Sequence, residues 1–376
     1  MSNSKISTAV IVGAGIFGVS TAVQLLRRGV AVTLLNDGPA ANGASGRSLS
    51  WLNSARMRSN EYHLLRMAGL DRYRTLAHRV GPVNWLRFDG GLTWDGDDDR
   101  NEIAAAYAHE VSLAYDAQHL DAAGIAAVTP GVDARAVTPQ GAIFNPGEGW
   151  VDLPSLIDHL LIEFRERGGR LVTDEGKAKV VVENGRAVGA STEKGGRYEG
   201  DAVLLATGPS VPAMAAEAGQ RIDDGTPVAL LIVTKPLSHP LTAVLNTPRV
   251  AVRPAPGGAF CVDADWAAGE VETNEDGSYA VKQSTLDALL AEASTVLEGN
   301  PKLEVASYGP GRKPIPGDGE PVLGALQAIP GYYVAFSHSG ATLGLIVGEL
   351  IAYEMAQAAR HPLLETFRPE RFAAAG

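Results

Sequence analysis

The feature that most constrains the fold is the start of the chain. There an apolar run at residues 8–12 meets the glycine-rich segment GAGIFG at 13–18, and a helical pattern of apolar residues follows. Gly13 permits a sharp turn, Gly15 lets the backbone approach a phosphate without an intervening Cβ, and Gly18 allows close packing of helix on strand. Together these features predict a strand, a tight turn and a helix, which is the first unit of a dinucleotide-binding fold.

A second apolar run, at residues 31–35, predicts the next strand of this unit. In dinucleotide-binding folds an acidic residue near the end of that strand holds a ribose hydroxyl. Here the strand is followed by Asn36 and Asp37. The amide oxygen of Asn36 can accept the same hydrogen bond without a negative charge. Asp37 is either a second ribose ligand or a turn residue before the Gly-Pro pair at 38–39.

Composition limits the classes of function. At 376 residues the chain is longer than one core usually supports, so two domains are expected. The formal net charge of −11 and the lack of Lys/Arg clusters argue against a nucleic acid or an anionic membrane as partner. The single cysteine excludes an intramolecular disulfide. With no signal peptide or long apolar run in the sequence, we expect a soluble cytoplasmic protein.

The rest of the chain alternates predicted helices and strands. Helices are predicted at 61–80, 101–117, 153–167 and 285–297, and strands at 89–95, 141–146, 177–183, 187–192, 201–208, 227–234 and 249–262. The run at 201–208 is apolar and ends in Gly208, as in a parallel strand buried on both faces. We therefore predict a nucleotide-binding domain over 1–85, 145–215 and 305–376, with a second domain over 86–144 and 216–304.

Four separated motifs resemble those of one flavoprotein superfamily. They are GAGIFG at 13–18, GASGRS at 43–48, LLATG at 204–208, and a C-terminal block running from GRKPIPGDGEPVLG at 311–324 to YYVAFSHSG at 332–340. In order and spacing they resemble the D-amino-acid oxidase superfamily, and within it the glycine oxidase and sarcosine oxidase branch. The resemblance implies an α/β fold, with a Rossmann-like FAD-binding domain and an α+β substrate domain that has a mainly antiparallel sheet.

The cofactor that the resemblance implies is FAD, held without a covalent bond, and no metal is implied. In sarcosine oxidases a cysteine near the C-terminal block links the flavin, whereas Cys261 lies in the other predicted domain and is typical of a small buried residue. The residues implied in FAD binding are Gly13, Gly15, Ile16, Phe17, Gly18, Asn36, Asp37, Ser45, Arg47, Ser48, Leu49, Lys179, Ala206, Thr207, Gly208, Gly311, Lys313, Ser339, Gly340, Ala341, Thr342 and Leu343. Amides at the start of the last helix would stabilise negative charge on the reduced flavin.

The activity that the resemblance implies is oxidation of a small amino acid or secondary amine, such as glycine, sarcosine or an N-carboxymethyl amine. The product is an imine that water hydrolyses, with O₂ as acceptor and H₂O₂ as by-product. Segment 263–266 lacks the lysine that speeds reaction with O₂ in some relatives. A D-amino-acid or proline-type dehydrogenase with a quinone or protein acceptor, a non-catalytic FAD-binding subunit and a nicotinamide-dependent dehydrogenase stay open as alternatives. The oligomeric state is open too, and a homo-oligomer is compatible with the sequence.

Lys313 is the first candidate to anchor the carboxylate of the substrate. Glycine oxidases carry an arginine at the corresponding place before the proline, where this chain has Lys313. A lysine supplies a point charge in place of a bidentate fork. A register shift of one residue would make Arg312 the anchor, and in a third interpretation both are ordinary loop charges.

Other side chains are secondary candidates for the substrate site. Arg253 would hold a second carboxylate, or else pair with Asp263 or Asp265. The remaining candidates are Trp51, Trp266, Phe260 and Tyr333, which would shape an apolar pocket or pack in a core, and His338, which would lie near the flavin edge or cap the last helix.

Overall fold

The computed structural model describes residues 5–372, which form two compact units. Unit 1 comprises the residues up to Gly46, Leu153–Pro227 and the chain from Arg312 on. Unit 2 comprises Arg47–Asp152 and Val228–Gly311. Within the described range, no helix combines the length and the apolar character that crossing a membrane requires.

The secondary structure follows the sequence prediction for the longer elements. The helices are α1 (Ile16–Arg27), α2 (Asn60–Val80), α3 (Ile103–Ser112), α4 (Ala122–Val128), α5 (Leu153–Glu166), α6 (Val211–Glu217), α7 (Asp265–Ala268), α8 (Gln283–Thr295) and α9 (Gly340–Gln357). The strands are β1 (Thr8–Val12), β2 (Ala31–Leu35), β3 (Trp51–Leu52), β4 (Leu86–Arg87), β5 (Gly91–Thr93), β6 (Gln118–Leu120), β7 (Ala142–Asn145), β8 (Gly149–Val151), β9 (Arg170–Val172), β10 (Ala178–Glu183), β11 (Arg186–Thr192), β12 (Arg197–Glu199), β13 (Ala202–Leu205), β14 (Val228–Thr234), β15 (Val244–Asn246), β16 (Ala251–Ala255), β17 (Ala259–Asp263), β18 (Glu272–Thr273), β19 (Tyr279–Ala280), β20 (Val305–Arg312), β21 (Val322–Ala325) and β22 (Tyr332–Phe336).

Unit 1 is built on a six-stranded sheet in the order β21-β22-β13-β1-β2-β9. The strands from β22 to β9 run parallel, and β21 lies antiparallel to β22 at one edge. Along β1 the side chains alternate between two buried faces. Ile11 faces Gly18 of α1, whereas Val10 packs with Ala187 of β11. The central strands are apolar throughout because both faces of the sheet are covered.

The helices of unit 1 pack closely on one another. Helix α1 contacts both α5 and α9. At the crossing with α9, a Cβ on Gly348 would lie 2.1 Å from the hydroxyl oxygen of Ser20. A glycine at position 348 therefore sets how near the first and last helices of the unit can approach.

Unit 2 contains an eight-stranded sheet in the order β20-β14-β17-β16-β15-β5-β7-β6. The pairings of β14 with β17, β17 with β16 and β16 with β15 are antiparallel, while β15 and β5 are parallel. Helix α8 buries Leu286, Leu289 and Ala293 in the core of this unit. The predicted fold class, a Rossmann-like domain and a second domain with a mainly antiparallel sheet, is confirmed.

The structure divides the chain at other points than the predicted domain boundaries. Residues 47–85 and 145–152 belong to unit 2. The cause is a three-stranded sheet in which β8 pairs with β3 on one side and with β4 on the other. Strands β3 and β4 contain two residues each, too few to show a periodic pattern in the sequence.

Candidate active site and cofactor-binding site

The glycine-rich turn joins β1 to α1 across the end of β13. Gly13 has φ of 108°, and a Cβ there would lie 2.3 Å from the carbonyl oxygen of Ala206. A Cβ on Gly18 would lie 1.8 Å from the carbonyl oxygen of Gly13. The structure thus brings together two of the predicted motifs, the turn and the strand end at 206–208. A side chain at position 13 would force these two motifs apart, and one at position 18 would displace α1 from the turn.

Several amides of the turn already have acceptors. The Gly13 N–H donates to the carbonyl oxygen of Leu35 at 2.7 Å, and the Ile16 N–H donates to the hydroxyl oxygen of Ser45 at 3.1 Å. Within the described residues, the amides of Gly15 and Phe17 have no protein acceptor. Because these amides stand at the positive end of α1, the turn has the donors and the space that a pyrophosphate requires.

Helix α9 begins beside the start of α1. A Cβ on Gly340 would lie 3.6 Å from Cγ2 of Ile16. The Ser339 N–H donates to the hydroxyl oxygen of Ser337, and the Leu343 N–H donates to the carbonyl oxygen of Ser339. Two helix N-termini therefore meet at the carboxyl edge of the parallel strands β1, β13 and β22, where ligands bind in open α/β sheets.

The loop after β2 supplies further predicted ligands. Ser45 lies in a short 3₁₀ helix, Ala44–Gly46. In unit 2, the Arg47 side chain crosses β20, where a Cβ on Gly309 or Gly311 would lie within 3 Å of it. Because these two glycines have no side chains, they leave room for the Arg47 side chain against β20. Gly311 was among the predicted residues and Gly309 was not, although their spacing of two residues on one strand places both on the same face.

The remaining predicted cofactor ligands lie on separate elements. The Ser48 hydroxyl accepts from the amide of Ser50, and the Thr207 hydroxyl lies 3.4 Å from the sulfur of Met214. Lys179, on β10, forms an exposed ion pair with Glu217. Leu49 is half-buried, Asp37 is exposed, and Ala341, Thr342 and Leu343 are buried in α9.

Arg312 and Lys313 stand at the end of β20 in different surroundings. The guanidinium of Arg312 pairs with Asp224 at 3.0 Å on the surface. Lys313 is half-buried, and its amide donates to the carbonyl oxygen of Pro227 at 2.9 Å. The ion pair with Asp224 gives Arg312 a role outside substrate binding, so Lys313 is retained as the anchor candidate.

Arg253 is sealed inside unit 2, with 2% of the residue exposed. Its guanidinium lies over the ring of Trp150 and donates to Cys261 Sγ at 3.0 Å, because the pairing of β16 with β17 sets Arg253 opposite Cys261. Its nearest carboxylate is Asp152, at 3.8 Å. The sequence suggested Asp263 or Asp265 as the alternative ion-pair partner of Arg253. In the structure the partner is Asp152.

The aromatic candidates and His338 belong to different elements of the two units. Trp51 pairs across β3 and β8 with Trp150. Phe260 is 3% exposed in the core of unit 2, and the indole N–H of Trp266 donates to the carbonyl oxygen of Arg249. Tyr333 lies in the first half of β22, where burial raises its pKa to about 12. His338 is exposed just before α9.

Unit 2 also contains a buried polar cluster that was not predicted from the sequence. Glu148, which is fully buried, accepts hydrogen bonds from the hydroxyl of Tyr115 at 2.5 Å and the amide of Ser54 at 3.2 Å. The Ser54 hydroxyl lies 2.9 Å from His63 Nδ1. Glu110 accepts from the amide of Arg56 at 2.6 Å. Burial, with Glu110 nearby, raises the pKa of Glu148 to about 8.

Comparison with known proteins agrees with this geometry. The chain matches the model of the DAO family, described as FAD dependent oxidoreductase, over residues 8–354. It is 24% identical to the uncharacterised oxidoreductase YurR of Bacillus subtilis (strain 168), over 91% of this chain and 93% of that protein.

Two solved structures show the same fold. Glycine oxidase from Geobacillus kaustophilus is 19% identical with a TM-score of 0.81, over 98% of this chain and 99% of that one. Iminodiacetate oxidase from Chelativorans sp. BNC1 is 21% identical with a TM-score of 0.78, over 96% of this chain and 98% of that one. The family model spans nearly the whole chain, and the predicted superfamily and cofactor are confirmed: the chain belongs to the DAO family of FAD-dependent oxidoreductases.

Proposed function

We propose that this protein oxidises a small amino acid or a secondary amino acid, such as glycine, sarcosine or an N-carboxymethyl amine, with O₂ as the electron acceptor. The observation that carries the proposal is the meeting of α1 and α9 at the carboxyl edge of the parallel strands. FAD, when bound, supplies the electron-accepting chemistry that converts an amine into an imine, which water then hydrolyses. Iminodiacetate oxidase, which shares the fold, acts by its name on a secondary amine with two carboxylates.

Different residues of unit 1 would bind the cofactor and the substrate. Gly13, Gly15 and Phe17 leave the space and the amides for the pyrophosphate. The start of α9 directs the positive end of its dipole toward the same edge of the sheet, where it stabilises negative charge. Lys313 supplies the cation for the substrate carboxylate, so that the α-carbon is oriented for oxidation.

The same site is compatible with a dehydrogenase that passes electrons to a quinone or a protein. The observation that favours this second candidate is the composition of the segment where β17 leads into α7, which reads Asp263, Ala264, Asp265 and Trp266 and contains no lysine. Without a cation of that kind, reaction with O₂ lacks one of the groups that accelerate it in some relatives.

An amine panel scored under anaerobic conditions tests the proposal. Purified holoprotein is mixed with glycine, sarcosine, iminodiacetate and N-alkyl glycines, and the flavin absorbance is followed. We expect one or more of these amines to bleach the absorbance, and air to restore it rapidly with formation of H₂O₂. Slow recovery in air would identify the dehydrogenase, and no bleaching by any amine would identify a non-catalytic FAD-binding subunit.

Substitution of Lys313 by methionine tests the carboxylate anchor. We expect KM for a carboxylated amine to rise about tenfold or more, because a contact to a charged group worth at least about 1.4 kcal/mol is lost. Steady-state kinetics gives KM, and absorbance gives the flavin content, which we expect to stay unchanged. Arg312→Met is the matched control, since Arg312 pairs with Asp224 on the surface. If KM rose in the control and not in Lys313→Met, the anchor would be Arg312.

A further inference from the structure

Asn36 stands at the end of β2, where dinucleotide-binding folds place an acid for the ribose. In the structure its side chain makes contacts within the protein. The amide oxygen Oδ1 accepts a hydrogen bond from the Ala14 N–H, inside the glycine-rich turn, at 2.8 Å. Nδ2 donates to the carbonyl oxygens of Gly38 at 2.9 Å and Pro39 at 2.8 Å, and lies 3.2 Å from Oδ1 of Asn42.

This arrangement requires an amide at position 36. One side of the group must accept from a backbone N–H, and the other must donate to oxygens. An aspartate has the same shape but no donor. Its second oxygen would face three oxygen atoms at hydrogen-bond distance, without a proton between them. The acid of the usual pattern is therefore incompatible with the conformation of segment 37–42 in this chain.

Asn42 closes the same segment from its other end. Its Nδ2 donates to the carbonyl oxygen of Asp37 at 2.5 Å. Ala41, which lies between Asp37 and Asn42 in the chain, adopts a left-handed conformation with φ of 61°. Its amide donates to the carbonyl oxygen of Ala14 at 3.1 Å. The peptide unit around Ala14 is thus held on one side by Asn36 and on the other by segment 37–42.

We propose that Asn36 is a positioning residue for the FAD-binding turn: it fixes Ala14 and segment 37–42, and it does not serve as the acceptor for the ribose of FAD. The proposal rests on the cofactor and is independent of the substrate. It corrects the expectation from the sequence that the Asn36 oxygen takes the place of the acidic ribose ligand.

The test is Asn36→Asp in the full chain, compared with the native protein. FAD is titrated into the deflavinated protein by fluorescence, and Tm is measured with and without FAD. We expect FAD affinity to fall at least tenfold and Tm to fall in both forms, because the carboxylate repels the oxygens of segment 37–42. A ribose acceptor would give the opposite result, since a carboxylate accepts the ribose hydroxyl more strongly. Unchanged or tighter FAD binding with an unchanged Tm would overturn the proposal.

Asn36→Ala and Asn42→Ala decide the question even if the aspartate variant does not fold. Each removes part of the hydrogen-bonded segment without adding a charge. We expect both to lower Tm of the FAD-free protein, by about 1–3 °C for a chain of this size, and both to weaken FAD binding. If Asn36 acted on the ribose alone, Asn36→Ala would weaken FAD binding, Tm without FAD would not change, and Asn42→Ala would have no effect. That pattern would overturn the proposal.

Discussion

Replacing Arg368 by methionine is expected to lower the free energy of unfolding by about 3–5 kcal/mol. The guanidinium of Arg368 forms two hydrogen bonds with Glu354, at 2.7 and 2.8 Å, and both residues are almost fully buried. Without the arginine, Glu354 would keep a buried charge with no cation beside it. Gly324 belongs to the same arrangement, because a Cβ there would lie 2.3 Å from Nη1 of Arg368.

Denaturant unfolding measures this loss, and the chain supplies a matched control. Arg360 pairs with Glu365 at 2.6 Å, and both side chains are about half exposed. Glu365 also accepts from Arg368 at 3.0 Å, so it keeps one cation when Arg360 is replaced. Arg360→Met should therefore cost at most about 1 kcal/mol. The double substitution Glu354→Leu with Arg368→Met should recover much of the loss, since no charge then stays buried. If Arg360→Met and Arg368→Met lowered the free energy of unfolding equally, burial would not be the reason for the contribution of the Arg368–Glu354 pair.

The free energy of unfolding of the native protein is expected to fall as pH rises, and replacing Glu148 by glutamine should largely abolish this fall. The pKa of this fully buried carboxyl is raised from 4.5 to about 8, mainly by burial. The unfolded chain releases the proton near pH 4.5, whereas the folded protein keeps it until about pH 8. The free energy of unfolding therefore falls between these two pH values, by an amount on the order of several kcal/mol.

Unfolding measured from pH 5 to pH 9 tests this expectation. The native protein should lose stability across the range, and Glu148→Gln should lose much less. Glu163→Gln is the control, because Arg27 and Arg167 lower the pKa of Glu163 to about 2 and its contribution is therefore constant from pH 5 to pH 9, so this variant should keep the pH dependence of the native protein. The contribution of Glu163 is complete above about pH 4.5 and is lost below it as pH falls toward 2. A native protein whose stability does not change between pH 5 and 8 would contradict the assignment of a buried neutral carboxyl.

The parts of the fold that the sequence predicted are those with local signals. Residue type alone predicts the turn at Gly13, Gly15 and Gly18. The same is true of the apolar strand that ends before Gly208. Helix α2 follows the predicted range 61–80 closely, because its N-cap Ser59 and the glycine at 81 mark its ends. Such signals need no knowledge of distant contacts.

The buried polar cluster of unit 2 had no signal of this kind. Glu148 meets Ser54 and Tyr115, which lie 94 and 33 residues away along the chain. A glutamate between two glycines in a turn-like segment is normally exposed. Asn36 directly follows β2, but the partners of its amide depend on how segment 37–42 folds back, which the residue type alone does not determine.

The starts of α1 and α9 meet at the carboxyl edge of the parallel strands, and this sets an order for events during synthesis. Strand β1 and the glycine-rich turn leave the ribosome more than 300 residues before β22 and the start of α9. Until then, the face of α1 that later packs on Gly348 lacks its neighbour. Unit 2, whose last segment ends at Gly311, is complete before that point. We therefore expect capture of FAD by the nascent chain to be a late step, and C-terminal truncations to remove flavin binding before they affect unit 2.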